Sequence, residues 1–374
     1  MNAAEEIVPW ISDLDFLKSG QKDHVAIICH DQPDPDCLSS ALAMQCISAH
    51  MGLPSTIYYG GEISHTQNRV LLNVLNIPVQ KLDIDEVDDP DGRAILQERL
   101  EKSYIILVDV AQFGKQPCES IGGFVPKERE PDLVIDHHEP NPRLSCRYIR
   151  RAYGSCATIM FRMLSDLQIS ISKTLATALY VGISTDTSNL RAEGVVQEDR
   201  EVFESLKSLI DPEAYEKILN YPRSISIIDA RRKVYTSLCV HGNLAIANAG
   251  LISLNQRSVI AEVCDELLQI ESIETAVVMA IIDEGLKGDK YLIASFRSEV
   301  LAMNMNDFTG KTFGKKFGGG RKGAGAAKIP LDQISKTVID DIRANRGDNG
   351  HLDAFTQPIF HAYAERVRSE NSNI

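Results

Sequence analysis

Along the first 190 residues, continuous apolar runs alternate with segments in which apolar positions recur every three or four residues. The continuous runs are "HVAIICH" (24–30), "STIYYGG" (55–61), "SYIILVDVA" (103–111) and "PDLVIDHH" (131–138). They are rich in β-branched residues. The last two lack polar alternation, the pattern of strands buried on both faces. Helical spacing occupies "DCLSSALAMQCISAHMG" (36–52), "TQNRVLLNVLN" (66–76), "GSCATIMFRMLSDL" (154–167) and "TLATALYVGISTDTSN" (174–189). Strands alternating with helices predict an α/β fold with a parallel sheet.

The pattern changes near "LIDPEAYEKILNYPRS" (209–224), where Pro212 and Pro222 punctuate an expected connector. Beyond it, "LAIANAGLI" (244–252), "TAVVMAIIDE" (275–284) and "KYLIASFRS" (290–298) read as strands of a second, smaller α/β domain. "DEGLKGDK" (283–290) reads as a hairpin loop, residues 310–325 as a glycine-rich basic loop, and the chain from "LDQISKTVIDDIRAN" onward as mainly helical. The expected organisation is a first domain over 1–208, a linker over 209–235 and a second domain with a helical tail over 236–374.

Composition narrows the function classes. A chain of 374 residues suits two cores better than one. A net charge of −13 argues against duplex DNA as a partner, because neutralising phosphates needs many clustered cations. The eight cysteines are scattered singly without a CxxC pair, which fits a reducing cytoplasm better than an oxidising exterior. No secretory leader is expected in "MNAAEEIVPW", and no apolar run reaches the length of a membrane span.

The chemistry gathers where the predicted strands end. In open parallel sheets, ligands bind beyond the carboxyl ends of the strands. The first strand runs into "HDQPDPDC", with His30, Asp34 and Asp36. Another ends at Asp109, and a third in Asp136, His137 and His138. Asp186 follows in "VGISTDTSNLR". Each has a plain alternative: acids beside Pro33 and Pro35 make turns, and Asp109 or Asp186 could cap a helix. In combination, mixed imidazole and carboxylate side chains on one sheet edge point to a dinuclear metal site. Mn²⁺ fits that donor set best, with Co²⁺, Fe²⁺ or Zn²⁺ open. Two such ions would offset the repulsion among the acids and bind a phosphate.

"HDQPDPDCLSSALAM", "LVDV", "IDHH" and "GISTDTSNLR" resemble, in order, the four motifs of the DHH phosphoesterases. The resemblance implies one metal held by His30, Asp34 and Asp109, and another by Asp36, Asp109, His137 and Asp186, with Asp109 shared. It implies that Asp136 orients the site and that His138 faces the substrate. Pro35 and Ser39 stand where the family sometimes has glycine; both lie between ligands. "SFRS" (295–298) and "FGGGRKGAGAAKI" (317–329) resemble the DHH-associated C-terminal domain. There the substrate-binding candidates are Arg297, Gly318, Gly319, Gly320 and Arg321, in a stretch with no acid between 308 and 331. Arg321 stands where the family usually has histidine. Arginine can still grip phosphate or stack on a base.

The resemblance covers roughly 20–330 and implies a phosphodiesterase using two divalent ions, Mn²⁺ foremost, on short oligoribonucleotides or dinucleotides such as pGpG. Exopolyphosphatase, 3′,5′-bisphosphoadenosine phosphatase and cyclic-dinucleotide phosphodiesterase are alternatives on the same scaffold. An inactive nucleotide-binding regulator is the alternative of another class. A homodimer is compatible with this reading.

Overall fold

A computed structural model describes residues 12–82, 90–110, 118–125, 129–138, 145–283, 290–300 and 304–345, apart from 62, 64, 119, 193 and 322. The chain divides into two compact units, 1–221 and 222–374.

The first unit is built on a six-stranded, wholly parallel sheet: β1 (Val25–Ile28), β2 (Ser55–Gly60), β3 (Val79–Leu82), β4 (Tyr104–Val108), β5 (Leu133–Asp136) and β6 (Arg147–Arg150). Its spatial order is β3-β2-β1-β4-β5-β6. The chain therefore winds outward from β1 in one direction, returns, and winds outward in the other from β4. The crevice at the carboxyl ends of β1 and β4 is the topological switch point, where ligands bind in such sheets.

Alternate strand residues serve two cores, which explains the unbroken apolar runs. Val25, Ile27, Ile106, Val108, Leu133 and Ile135 pack with one helical layer. Ala26, Ile28, Ile105, Leu107 and Val134 pack on the other side with Leu100 and Phe124. The first layer contains α1 (Pro35–His50); Leu100 belongs to α3 (Pro90–Lys102), which follows α2 (Thr66–Leu75). The unit continues with α4 (Cys156–Asp166), α5 (Lys173–Asp186), α6 (Gln197–Lys207) and α7 (Pro212–Leu219).

The closest helix contact is α5 on α1. A Cβ added at Gly182 would lie 2.4 Å from Ser39 Oγ and 3.1 Å from the Pro35 carbonyl oxygen. Only glycine lets the helices approach this closely, and the contact lies one turn before Asp186.

The second unit holds a mixed sheet in the order β11-β12-β10-β9-β8-β7. It begins with α8 (Ile225–Thr236), β7 (Cys239–His241), β8 (Leu244–Ile252), α9 (Ser258–Leu267), β9 (Thr275–Asp283) and β10 (Lys290–Ser298). It continues with α10 (Met305–Phe313), β11 (Gly318–Arg321), β12 (Ala324–Pro330) and α11 (Lys336–Arg343). Ile227, Val234, Val259 and Val263 of α8 and α9 cover one face. Met305, Phe308, Val338 and Ile342 of α10 and α11 cover the other.

The boundary between the units falls within 209–235, the segment expected as a connector, which contains α7 and α8, with Ile218 and Val234 each buried in the core of their own unit. One expectation changes. The expected basic loop at 310–325 contains part of α10 and the antiparallel pair β11–β12. Its glycines have a packing cause. Added Cβ atoms at Gly318 and Gly325 would lie 2.9 Å from the Thr309 oxygen and methyl group respectively, so α10 rests directly on the hairpin. The hairpin loop at 284–289 and the tail beyond residue 345 lie outside the described residues.

Candidate metal centre

The site begins with "HDQPDPD", where β1 passes into α1. Asp34 is the N-cap of α1, with Oδ1 accepting from Cys37 N at 2.9 Å and Pro35 opening the helix. Capping uses one oxygen; the other, Oδ2, lies 4.0 Å from His30 Nε2. The cap is therefore made by one oxygen, and the other is left facing His30. Asp36, in the first turn of α1, is 1% exposed and accepts from Cys156 N at 2.8 Å and Ala157 N at 2.7 Å.

Asp109 follows β4 with φ of 56°, a left-handed conformation uncommon for a non-glycine residue. Its carboxylate faces two imidazoles. Oδ2 lies 3.9 Å from His30 Nε2, and Oδ1 lies 3.5 Å from His137 Nε2. His137 Nε2 is also 3.2 Å from Asp186 Oδ2 and 4.0 Å from Asp36 Oδ2. Asp186 reaches this group from the last residue of α5. The structure thus brings His30, Asp34, Asp36, Asp109, His137 and Asp186 together at the switch point.

Both imidazoles have a defined tautomer. His30 Nδ1 is 2.8 Å from the Asp31 carbonyl oxygen, and His137 Nδ1 is 3.1 Å from that of Tyr153. A carbonyl only accepts, so each Nδ1 carries a proton, and in the neutral ring Nε2 is the nitrogen with a lone pair to offer a metal. This is how metal-binding histidines are commonly oriented.

The electrostatics are those of a cation site. Burial, followed by the charges of Asp186 and Asp34, pushes the Asp36 carboxyl well above the usual range. Burial and the charges of Asp36, Asp34, Asp136 and Asp186 do the same to Asp109. Burial and the neighbouring His138 lower His137. Asp109 Oδ1 and His137 Nε2 are buried without a hydrogen-bond partner. Such atoms are costly to leave unpaired. Acceptor atoms gathered in this way, with histidine tautomers to match, fit divalent ions bound by nitrogen and oxygen.

Beside the cluster, Asp136 Oδ1 takes His138 Nδ1 at 2.8 Å, and the Tyr148 hydroxyl donates to Oδ2 at 3.4 Å. Burial would raise Asp136, but its bonds and attraction to His138 outweigh that and hold the carboxyl below its usual range. The His138 side chain is 51% exposed, against 9% for His137. Adjacent histidines thus occupy different positions, one within the cluster and one at its mouth.

In the second unit, Arg297 donates through Nε to Asp265 at 2.7 Å and through Nη1 to Ser295 Oγ and the Phe296 carbonyl oxygen. Arg321 and Arg297 both pair with Ala324, so they share one row of the sheet with a strand between them. The Arg321 side chain lies outside the described atoms. An added Cβ at Gly320 would lie 2.6 Å from the Ala324 carbonyl oxygen, whereas one at Gly319 would meet only Asn306 Oδ1, at 3.7 Å. Of the three glycines, Gly319 is the one whose lack of a side chain is not required by close packing.

Sequence reasoning missed the groups that hold the ligands: the Tyr153 carbonyl, the Cys156 and Ala157 amides, and Gly182. Backbone groups leave no sequence signal. Gly182 left one, as a lone glycine within a helical apolar run. Cys37 also lies close to His30 and Asp109, but burial pushes its thiol up, and it donates to the Val108 carbonyl oxygen.

An open parallel sheet with a carboxylate and imidazole cluster at its switch point makes the first unit an α/β domain with side chains able to hold a metal ion. More particularly, residues 24–183 match the model of the DHH family, N-terminal domain. The uncharacterized protein MJ1633 of Methanocaldococcus jannaschii is 33% identical over 330 residues, 87% of this chain. The chain spans 62% of the length of that relative. The uncharacterized protein MJ0988 of the same organism is 24% identical over 329 residues, covering 86% of this chain and 90% of its own. Among solved structures, an exopolyphosphatase-related protein from Bacteroides fragilis superposes with a TM-score of 0.68 at 16% identity, covering 91% of this chain and 96% of its own. That likeness extends the shared fold through the second unit.

Proposed function

We propose that the protein is a metal-dependent phosphodiesterase that cleaves very short RNA, in particular diribonucleotides such as pGpG, to mononucleotides. The observation that carries the metal-dependent part is the Asp109 carboxylate, whose two oxygens face His30 on one side and His137 on the other. One ion would be held by His30, Asp34 and Asp109, the other by Asp36, Asp109, His137 and Asp186. Mn²⁺ suits this donor set. When bound, such ions supply an activated water and positive charge for the phosphoryl oxygens.

The chain's own residues would do the rest. Asp136 fixes the His138 ring through Nδ1. Proton transfer to a leaving oxygen would then run through His138 Nε2. The second unit would supply the substrate contacts, through the Gly319 backbone, Arg321 and Arg297, with Gly318 and Gly320 forming the strand that presents them. Arg297 would exchange Asp265 for phosphate. The net charge of −13 favours a substrate bearing few phosphates over a long polyanion. Eight free cysteines fit a cytoplasmic setting; among the described residues no helix is long and apolar enough to cross a membrane.

Purified protein incubated with Mn²⁺ and pGpG is expected to release GMP. Absence of GMP at any protein concentration overturns the proposal. Parallel incubations with polyphosphate, 3′,5′-bisphosphoadenosine and a cyclic dinucleotide assign the activity to a rival substrate should one turn over faster.

A further inference from the structure

We propose that Asp199, outside the ligand motifs, is a positioning residue that sets the Asp36–His137–Asp186 half of the cluster and leaves the His30–Asp34 half alone. This rests on the reading that the cluster binds divalent ions.

Asp199 lies in the first turn of α6, is fully buried, and has both oxygens engaged. Oδ2 accepts from Gly154 N at 2.8 Å and Val196 N at 2.9 Å, and Oδ1 accepts from Thr158 Oγ1 at 2.6 Å. Gly154 lies near the end of the turn between β6 and α4 and Thr158 in the first turn of α4, so Asp199 ties the turn to the start of the helix.

The same segment bonds two ligands of one half and packs beside the residue that follows the third. The Tyr153 carbonyl oxygen fixes His137 through Nδ1. The amides of Cys156 and Ala157 hold the two oxygens of Asp36. Gly154 packs against Thr187, next to Asp186: an added Cβ would lie 2.8 Å from the Thr187 methyl and 2.9 Å from Asp199 Oδ2. The other half is held locally, with Asp34 capping Cys37 and His30 bonded to the Asp31 carbonyl oxygen. Groups that orient metal ligands typically change metal affinity about 10- to 100-fold when removed.

The experiment titrates Mn²⁺ into metal-free, full-length protein by calorimetry and follows free Mn²⁺ by electron paramagnetic resonance. Wild type is expected to show two sites. Asp199→Ala is expected to weaken one of them about 10- to 100-fold and leave the other within about twofold. Asp199→Asn should rescue, to within about threefold. Its amide oxygen can accept from the two backbone amides while its NH₂ donates to Thr158 Oγ1. Val202→Ala, which truncates a buried residue of α6 among the core side chains, controls for lost stability and should leave both sites unchanged.

If Asp199→Ala does not fold, Thr158→Val takes its place, with about a 3- to 10-fold loss expected at the same site on the same grounds. Wild type with two sites, and a folded variant that matches it or loses both sites alike, overturns the positioning role alone. Wild type that binds no Mn²⁺ overturns the metal reading and this inference together.

Discussion

The two units hold their charged side chains in opposite ways. In the first, acids and imidazoles sit at the ends of parallel strands, with Asp36 and Asp109 at 1% and 6% exposure. In the second, basic residues lie along an edge hairpin, and Arg297 is already matched by Asp265. Buried like charges are costly unless a proton or a cation offsets them, so the first arrangement favours binding one or the other. Surface cations remain hydrated and interact weakly, so the second can change its grip without loss of fold.

The largest break in this contrast should come from Asp109→Ala. It removes the carboxylate that faces both imidazoles, and with it several kcal/mol of transition-state stabilisation, so pGpG turnover is expected to fall by about 10³-fold or more. Calorimetry of the same variant should show weaker Mn²⁺ binding at both sites. Turnover within tenfold of wild type would end the shared-ligand assignment.

Removing metal is the next test. Asp36 and Asp109 have raised carboxyl pKa values in the folded chain because of burial and mutual repulsion. For an acid so raised, the folded state keeps its proton above the unfolded pKa, so its contribution to stability falls as pH rises through that window. Bound divalent ions cancel the repulsion, and they compete with protons for the same oxygens. The gap in Tm between Mn²⁺-loaded and EDTA-treated protein should therefore be wider at pH 8 than at pH 5. An equal gap at both pH values would show that the acids are not the ion's ligands.

The contrast between the units also explains what was legible in the sequence. Strands β1, β4 and β5 are buried on both faces and stood out as apolar runs, with the ligand motifs at their ends. Strands β3 and β6 escaped notice because they form the sheet's edges, are four residues long and carry Lys81, Arg147 and Arg150. The hairpin β11–β12 looked like a loop because glycine has little preference for strands. It is a strand because α10 needs that face bare. Asp199 was hidden for another reason: beyond its local bond to Val196 N, its partners are the Gly154 amide and the Thr158 hydroxyl, more than 40 residues away, and a pattern of residue types does not record them.

The smallest expected effects lie in the second unit and separate its two arginines. Arg321→Ala should raise the KM for pGpG about tenfold, the worth of one charge-assisted contact, and change kcat less. Asp265→Asn tests Arg297 from the other direction. Arg297 now spends Nε on the Asp265 carboxylate. Replacing that carboxylate by an amide keeps a hydrogen-bond acceptor but removes the charge. If Arg297 must leave Asp265 to reach a phosphate, the exchange becomes easier and KM falls, by about threefold for a weak, partly exposed pair. If Arg297 serves only to tie β10 to α9, the same substitution leaves KM unchanged and lowers Tm slightly. Opposite shifts in KM from Arg321→Ala and Asp265→Asn would make both arginines substrate contacts. A shift from the first alone would confine substrate binding to the hairpin.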